Sequence, residues 1–77
     1  MEHTVNDLSV GQRGRVKSLG CTGALRRRII DMGITPGAVI ALRRHAPMGD
    51  PLEIHLRGYD LSIRKSEAEQ IKIEILP

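Results

Sequence analysis

Apolar and polar residues alternate along three segments in the second half of the chain. These segments are Leu52–Arg57, Asp60–Arg64 and Ile71–Leu76, and each places its apolar residues at every second position. Because successive side chains of a strand point to opposite faces, the alternation predicts three half-buried strands. Two earlier segments, Arg15–Leu19 and Ala38–Arg44, are predicted as further strands, which gives five in all.

One segment has the period of a helix instead. Its apolar residues form one stripe within about 60° when placed at about 100° per residue: Leu25, Ile29 and Met32. Thr22 before the stripe can cap the free amides of a first turn, and Gly33 after it suits the left-handed residue that ends many helices. The pattern predicts a helix over about residues 22–32, inserted between the first and second strands.

Turn residues mark the joints between these elements. Pro36-Gly37 places proline and glycine at the two central positions of a type II turn. Gly58-Tyr59 fits a two-residue hairpin loop with glycine first. Ser66 followed by Glu69 has the spacing of a capping box, which predicts a short helical turn near residues 66–70.

These elements predict a mostly β fold. Each half-buried strand has one apolar face, and closing the strands into a small barrel buries that face and removes exposed edges. At 77 residues the chain is expected to form one domain, residues 1–77, too small for a two-domain enzyme with a central cleft. It has one tyrosine and no phenylalanine or tryptophan, so aromatic platforms for single strands and aromatic grooves for proline-rich peptides are not expected.

Charge and cysteine content narrow the functional classes further. Twelve Lys and Arg against nine Asp and Glu give a net charge of +3, with the cations interspersed except at Arg26–Arg28. Nucleic-acid-binding domains usually have a denser basic stripe, so no nucleic-acid partner is expected. The single Cys21 excludes an internal disulfide and a multi-cysteine zinc site. With no signal-peptide pattern and no apolar run near the ~18 residues of a membrane span, a cytoplasmic protein is expected.

Two long motifs resemble the signature of the FeoA family. The first runs from Leu19 to Gly37 and reads LGCTGALRRRIIDMGITPG, and the second, from Arg44 to Lys65, includes APMGDPL and LRGYDLSIRK. The similarity extends over roughly residues 8–75. It implies a five-stranded SH3-like barrel with an inserted helix. It also implies an accessory role in bacterial ferrous-iron uptake, acting on the cytoplasmic GTPase part of the transporter FeoB. A similar domain ends some metal-dependent repressors, but no helix-turn-helix precedes it here, so a free-standing accessory is expected.

The sequence contains no recognisable catalytic arrangement. The glycines at positions 11, 14, 20 and 23 lack the G-x-x-x-x-G-K-[ST] spacing and the lysine of a phosphate-binding loop. The serines are scattered, and no histidine stands at a diagnostic spacing from any of them. Cys21 precedes a helix N-terminus, where a thiolate is favoured, but is interpreted as a small side chain packed at a strand-to-helix corner. The chain is therefore predicted not to be an enzyme.

Binding is the function that the sequence favours, and Arg26, Arg27 and Ile30 form the first candidate surface. Ile30 lies about 100° from Ile29, between the two arginines in helical projection. Such a face offers one apolar anchor and bidentate guanidinium donors to an acidic protein partner, here a FeoB-type transporter. Contact with a membrane is expected only through that partner. Two alternatives stay open: the arginines form a solvated face, or Ile30 packs under the Pro47–Pro51 loop.

The Ala46–Leu52 loop is the second candidate surface. Pro47 and Pro51 restrict its backbone, Met48 offers an adaptable apolar tip, and Asp50 offers an exposed charge. A turn that only joins two strands can be shorter, so the loop is either a contact surface or a plain connection.

A metal role is the alternative from a different functional class. Glu53 and His55 are two residues apart on one strand, so they share a face with Cα atoms about 6.6 Å apart, and His45 can join them from the neighbouring strand. Imidazole and carboxylate suit Fe2+ or Zn2+, which would make the chain a metal sensor or carrier. A nucleic-acid-associated barrel is the remaining alternative. Homo-oligomers also stay open, because edges left by an incomplete barrel favour dimers.

Overall fold

A computed structural model describes residues 2–77 as six antiparallel strands, two α-helices and one 3-10 turn. The elements are β1 His3–Thr4, the 3-10 turn Val5–Asp7, β2 Arg13–Leu19, α1 Gly23–Asp31, β3 Val39–His45, β4 Leu52–Leu56, β5 Tyr59–Ile63, α2 Lys65–Ala68 and β6 Ile71–Ile75. The mostly β prediction is confirmed, with one strand more than expected. The extra strand is β1, whose two residues are too few to show alternation. No helix within residues 2–77 is long and apolar enough to cross a membrane.

All six strands form one sheet in the order β1-β6-β2-β3-β4-β5. The buried side chains of β2, β3, β4, β5 and β6 all belong to one core cluster, and the three extents of the molecule are nearly equal, 29 × 27 × 26 Å. The sheet therefore wraps around its own core. Register shifts between Val16 and Ser18 in β2 and between Leu42 and Arg44 in β3 fit this curvature, because bulges bend the strand that carries them.

One apolar core lies inside the sheet and is covered on one side by α1. Its buried side chains come from every long strand and from the connecting segments: Val5, Leu8, Val16, Ile29, Ile34, Ala38, Ile40, Leu42, Leu52, Ile54, Leu56, Ile63, Ala68, Ile71 and Ile73. The predicted alternation in the second half of the chain is therefore confirmed. Cys21 is half-buried against this core, at the corner between β2 and α1.

The two ends of the strand order are joined by short helical segments. The 3-10 turn after β1 contacts α2, which follows β5, and the Asn6 side-chain amide donates to the Lys65 carbonyl oxygen at 3.2 Å. The Glu67 carboxylate accepts the Arg64 backbone N–H at 2.8 Å. The predicted capping box of Ser66 and Glu69 is therefore wrong: α2 begins at Lys65, so Glu67 occupies the third helical position.

The predicted helix is confirmed to within one residue at each end. α1 spans Gly23–Asp31, with Met32 as its C-cap and Thr22 at the N-cap position, where the Thr22 side chain does not make the predicted capping hydrogen bond. Ile29 is fully buried, and the other two stripe residues, Leu25 and Met32, are half-buried against the core. The helix therefore turns its predicted apolar stripe to the sheet, which fixes the direction of all its other side chains.

The turns were predicted with mixed success. In the Pro36-Gly37 turn the Ala38 N–H donates to the Thr35 carbonyl oxygen at 2.9 Å, and Gly37 has φ +94°, as a type II turn requires. The hairpin loop between β4 and β5 is instead Arg57-Gly58, one residue earlier than Gly58-Tyr59. Both loop residues have positive φ, 51° and 85°, which is the type I′ geometry that matches the twist of paired strands.

Candidate partner-binding surface

The outward side of α1 contains a shallow depression of about 300 Å3, lined by Gly23, Arg26, Arg27 and Ile30. We call it the arginine depression. It contains all three residues of the first predicted surface, because their positions on α1 point away from the stripe that packs on the sheet. Helical projection was sufficient to predict that these side chains would lie together.

Ile30 is an apolar residue outside the core. Its neighbour Ile29 is fully buried, whereas Ile30 is only partly buried and is absent from the side chains that form the core or pack against it. A rotation of about 100° per residue separates the two. Among the described residues, none from the Pro47–Pro51 loop contributes to the lining of the depression. Ile30 is therefore the apolar part of an open surface.

The three consecutive arginines have different surroundings. Arg28 Nη1 lies 3.4 Å from Glu67 Oε2, and Glu67 is only 5% exposed, so this pair ties α1 to α2. Arg26 and Arg27 are exposed, and within residues 2–77 neither has a carboxylate within ion-pair distance. Asp31, one turn beyond Arg27, is also exposed and does not pair with it. Only two of the three arginines therefore present unpaired charge at the depression.

The β4–β5 hairpin holds the C-terminal end of α1. The Tyr59 hydroxyl donates to the carbonyl oxygen of the cap residue Met32 at 2.6 Å, and Arg57 Nη2 donates to Thr35 Oγ1 at 3.3 Å. Between them Gly33 has φ +90°, and a Cβ there would lie 3.1 Å from the Tyr59 hydroxyl oxygen. The single aromatic ring therefore fixes the helix that carries the depression. Sequence reasoning missed this contact, since nothing in the local pattern links residues 32 and 59.

The second predicted surface is the loop after β3, residues 46–51, which we call the proline loop. Met48 at its tip is 93% exposed. Asp50 Oδ1 accepts the Lys65 backbone N–H at 2.9 Å, so this carboxylate also ties the loop to α2. The Ala46 N–H donates to the Pro51 carbonyl oxygen at 3.0 Å, which closes the base of the loop. Met48 is therefore presented on a braced loop.

A smaller pocket of about 130 Å3 lies at the base of the proline loop. Its lining residues are Arg44, Ala46, Pro51, Leu52, Glu53 and Ser62. Arg44 Nε and Glu53 Oε2 lie 3.2 Å apart in its wall. The charges of this pocket are thus matched internally, in contrast to those of the arginine depression.

The metal-ligand candidates Glu53, His55 and His45 do not converge. Glu53 pairs with Arg44, and His55 Nδ1 lies 2.6 Å from Asp60 Oδ1 on the neighbouring strand. His45 is exposed at the end of β3. Within residues 2–77 no group of three or more His, Cys, Asp or Glu side chains is placed to hold a metal ion. The structure therefore does not bring these three candidates together as one metal site among the described residues.

Asp60 has two neighbouring side chains with N–H groups on the outer face of the sheet. Besides the His55 ring, Arg43 Nε lies 3.6 Å from Asp60 Oδ1. The hydrogen bond from His55, together with the positive charge of Arg43, holds the pKa of Asp60 below its usual range. The His55 ring thereby donates its Nδ1 proton to a carboxylate that stays ionised.

Comparison with known proteins gives relatives of the same size and fold. A solution structure of an FeoA-like protein from Clostridium acetobutylicum is 41% identical and superposes with a TM-score of 0.92 over 99% of this chain and 88% of that one. FeoA from Stenotrophomonas maltophilia, a prokaryotic SH3 domain protein whose structure was determined with zinc, superposes with a TM-score of 0.81. It is 22% identical, over 94% of this chain and 89% of its own, so it bears on the fold alone, and it confirms the SH3-like barrel.

A curated relative is much longer. A Porphyromonas gingivalis fusion of Fe(2+) transport protein A with the Fe(2+) transporter FeoB is 28% identical over 72 residues, which is 94% of this chain. The chain spans only 8% of the length of that fusion protein. The family model described as the FeoA domain matches residues 3–75. Since this match begins at the first residue of β1 and ends at the last residue of β6, the whole sheet with its inserted helix is covered, and the chain belongs to the FeoA family.

Proposed function

We propose that this chain is a non-enzymatic, cytoplasmic accessory protein of bacterial ferrous-iron uptake that binds the GTPase part of an FeoB-type transporter. The observation that carries the proposal is the Porphyromonas gingivalis fusion, in which a segment similar to this chain is joined to FeoB. A covalent link holds two modules at high effective concentration, so it preserves an association that separate chains would make by binding. On this proposal the domain formed by this chain makes the same association with its partner.

The surface chemistry supports binding by aliphatic and arginine contacts. SH3-like barrels that bind proline-rich peptides use aromatic grooves. In this chain Tyr59 is the only aromatic residue, and its hydroxyl is engaged with Met32. The arginine depression offers one apolar side chain, Ile30, and two arginines in its lining, and Met48 on the proline loop offers a second apolar contact. We assign the arginine depression as the primary contact and Met48, with Asp50 bracing its loop, as the secondary one.

The proposal is tested by binding of this chain to the full-length transporter in lipid nanodiscs, measured by biolayer interferometry with a chelator present. The wild type is expected to bind without added iron, and Ile30→Ala combined with Arg26→Glu is expected to weaken binding at least tenfold, since one apolar anchor and one charge are lost. The matched control is Val39→Ala with Arg13→Glu, which removes an exposed aliphatic and reverses an exposed arginine elsewhere. It should bind like the wild type.

Three results would contradict the proposal. If the wild type does not bind, the transporter is not the partner of this chain, whatever the variants do. Binding that appears only after Fe2+ is added would favour the metal sensor or carrier instead. Cross-linking of the complex, followed by mass spectrometry, should place the contacts on the GTPase part, and cross-links confined to the membrane-spanning part would contradict that assignment.

A further inference from the structure

Within residues 2–77, Arg26 and Arg27 of the arginine depression are the one pair of sequence-adjacent arginines in which neither side chain has an internal counter-ion. Arg15, Arg43 and Arg44 each have a carboxylate within 3.6 Å, on Glu74, Asp60 and Glu53 respectively. Arg28 has Glu67. Arg13, Arg57 and Arg64 also lack such a partner within residues 2–77, but none of them has an arginine as its neighbour in the sequence, whereas Arg26 and Arg27 are adjacent. The missing negative charge at this surface must be supplied by solvent ions or by a ligand.

The floor of the depression limits which ligand fits. Ile30 is a partly buried aliphatic side chain that lines the depression together with Arg26 and Arg27, and it lies between them in helical projection. Inorganic phosphate would satisfy the arginines but leave this apolar surface wet. Anionic lipid surfaces are typically recognised by clusters of four to eight cations, about twice the charge present here or more. Single-stranded nucleic acid depends on aromatic stacking, for which no ring lines the depression.

A protein segment can both supply the negative charge for the arginines and cover the apolar Ile30. A carboxylate accepts two parallel hydrogen bonds from a guanidinium group, and such charge-assisted pairs are the strongest that arginine makes. An aliphatic or aromatic side chain next to that carboxylate would cover Ile30. We infer, building on the proposed function, that the arginine depression takes a short acidic segment of the partner protein in which an apolar side chain is flanked by Asp or Glu.

The first test uses the intact chain and synthetic peptides, so it does not depend on the transporter. The 15N-labelled protein is titrated to millimolar concentration with the peptide acetyl-Gly-Asp-Leu-Glu-Gly-amide. Two matched peptides replace either both acids with Asn and Gln or the leucine with alanine. The amide signals of Gly23, Arg26, Arg27 and Ile30 are expected to shift with the first peptide, and each matched peptide should need several-fold higher concentration.

Several outcomes of this titration would overturn the inference. One is no shift at these amides at millimolar peptide, and another is an equal response to the acidic and the amide peptides. A third is that inorganic phosphate, anionic phosphatidylserine vesicles or an oligonucleotide perturbs the same amides at lower concentration than the peptide. That last result would assign the depression to a phosphate-bearing ligand.

The second test uses the full-length transporter in nanodiscs and separates this inference from the proposed function. Arg26→Glu with Arg27→Glu should weaken binding about tenfold or more, mainly through a slower association rate that becomes less dependent on salt. Arg26→Lys with Arg27→Lys keeps the charge but loses the bidentate fork, so its loss should be smaller. If the wild type binds and the charge reversal binds equally well, the inference fails while the proposed function stands. If the wild type does not bind, the proposed function fails and the peptide titration decides the inference.

A substitution at Asp31 should strengthen binding, in contrast to the arginine substitutions, which should weaken it. This exposed carboxylate lies one turn beyond Arg27 and reduces the positive potential next to the depression. Asp31→Asn should therefore strengthen binding of the acidic peptide, by a factor of about two at low salt. Weaker binding after this substitution would contradict an acidic ligand.

Discussion

The two sides of α1 differ in how far the rest of the molecule uses them. On the inward side Ile29 is fully buried, Arg28 pairs with the buried Glu67, and the cap residue Met32 receives the Tyr59 hydroxyl. On the outward side Arg26 and Ile30 have no such contacts within residues 2–77. An isolated helix of nine residues is too short to be stable in water, so the inward contacts hold it in place. The outward side chains contribute little to the fold and can serve binding.

The adjacent pair Ile29 and Ile30 gives the largest expected contrast. Ile29→Ala leaves a cavity in a core with no solvent exposure and should lower the free energy of unfolding by about 2–5 kcal/mol. Ile30→Ala removes partly exposed surface and should cost less than about 1 kcal/mol. Urea unfolding followed by far-UV circular dichroism measures both, since the chain has no tryptophan. Equal losses would show that both sides of α1 are structural.

The junction between α1 and the hairpin should be the next most sensitive site. Gly33→Ala meets both a left-handed backbone and the Tyr59 hydroxyl oxygen, and should cost about 1–3 kcal/mol of unfolding free energy. Gly11→Ala is the matched control, because Gly11 has φ +91° but open space around it. Only the backbone strain should appear there, so the difference in unfolding free energy between the two variants isolates the crowding. Identical costs would contradict the close packing of Tyr59.

The Tyr59 hydrogen bond should account for a measurable part of this junction. Tyr59→Phe removes the donor to the Met32 carbonyl oxygen and should cost about 1 kcal/mol of unfolding free energy. Hydrogen exchange would check the location of the effect: faster exchange should be confined to the last turn of α1. Uniform acceleration across the sheet would indicate that the hydroxyl has a wider role.

Arg28 and Arg27 should also differ in how much they contribute to stability, but by less than Ile29 and Ile30 do. Arg28→Ala is expected to cost up to about 1 kcal/mol, because a half-exposed ion pair contributes little but its loss leaves Glu67 buried without a counter-ion. Arg27→Ala should stay within about 0.5 kcal/mol of the wild type. Adding Glu67→Gln to Arg28→Ala measures the coupling between the two side chains by a double-mutant cycle. Equal losses of stability in Arg27→Ala and Arg28→Ala would show that the ion pair with Glu67 does not stabilise the fold.

The outer face of the sheet gives the smallest expected effect, and it depends on pH. The pKa of Asp60 is held below its ordinary value of 3.8 in the folded state. The folded protein therefore favours the ionised carboxylate, which contributes stability that is present above pH 3.8 and is lost as the pH falls through the lower folded pKa. Asp60→Asn should flatten this acid dependence in urea unfolding. An unaltered acid dependence in Asp60→Asn would contradict the His55 interaction.

Local patterns were enough to predict most of the fold. Thr22, Gly33 and the apolar stripe between them located α1 to within one residue, and the alternation from Leu52 to Ile75 assigned the buried face of three strands correctly. The same helical geometry predicted that Arg26, Arg27 and Ile30 would lie together. These predictions succeeded because they depend on interactions between residues close in sequence.

The parts that could not be predicted depend on contacts between distant segments. β1 is only two residues long and is a strand because β6 is available to pair with it. The hairpin loop falls on Arg57-Gly58, and Arg57 has a positive φ, which a non-glycine residue rarely adopts. Contacts with a distant segment are made here, because the Arg57 side chain donates to Thr35 and the Tyr59 hydroxyl donates to the Met32 carbonyl oxygen. Arg28 differs from Arg26 and Arg27 because it pairs with Glu67, and this pair likewise joins residues far apart in the chain.

Methyl cross-saturation tests most directly the central claim, that the outward side of α1 binds the partner while the inward side holds the fold. The chain is labelled at isoleucine methyl groups and bound to the full-length FeoB-type transporter in nanodiscs, and saturation is transferred from the transporter to the methyl groups it touches. The predicted result is strong transfer to the Ile30 methyl and little to that of Ile29, which has no exposed surface. Transfer that spares Ile30 and appears at isoleucines remote from α1 would contradict the claim.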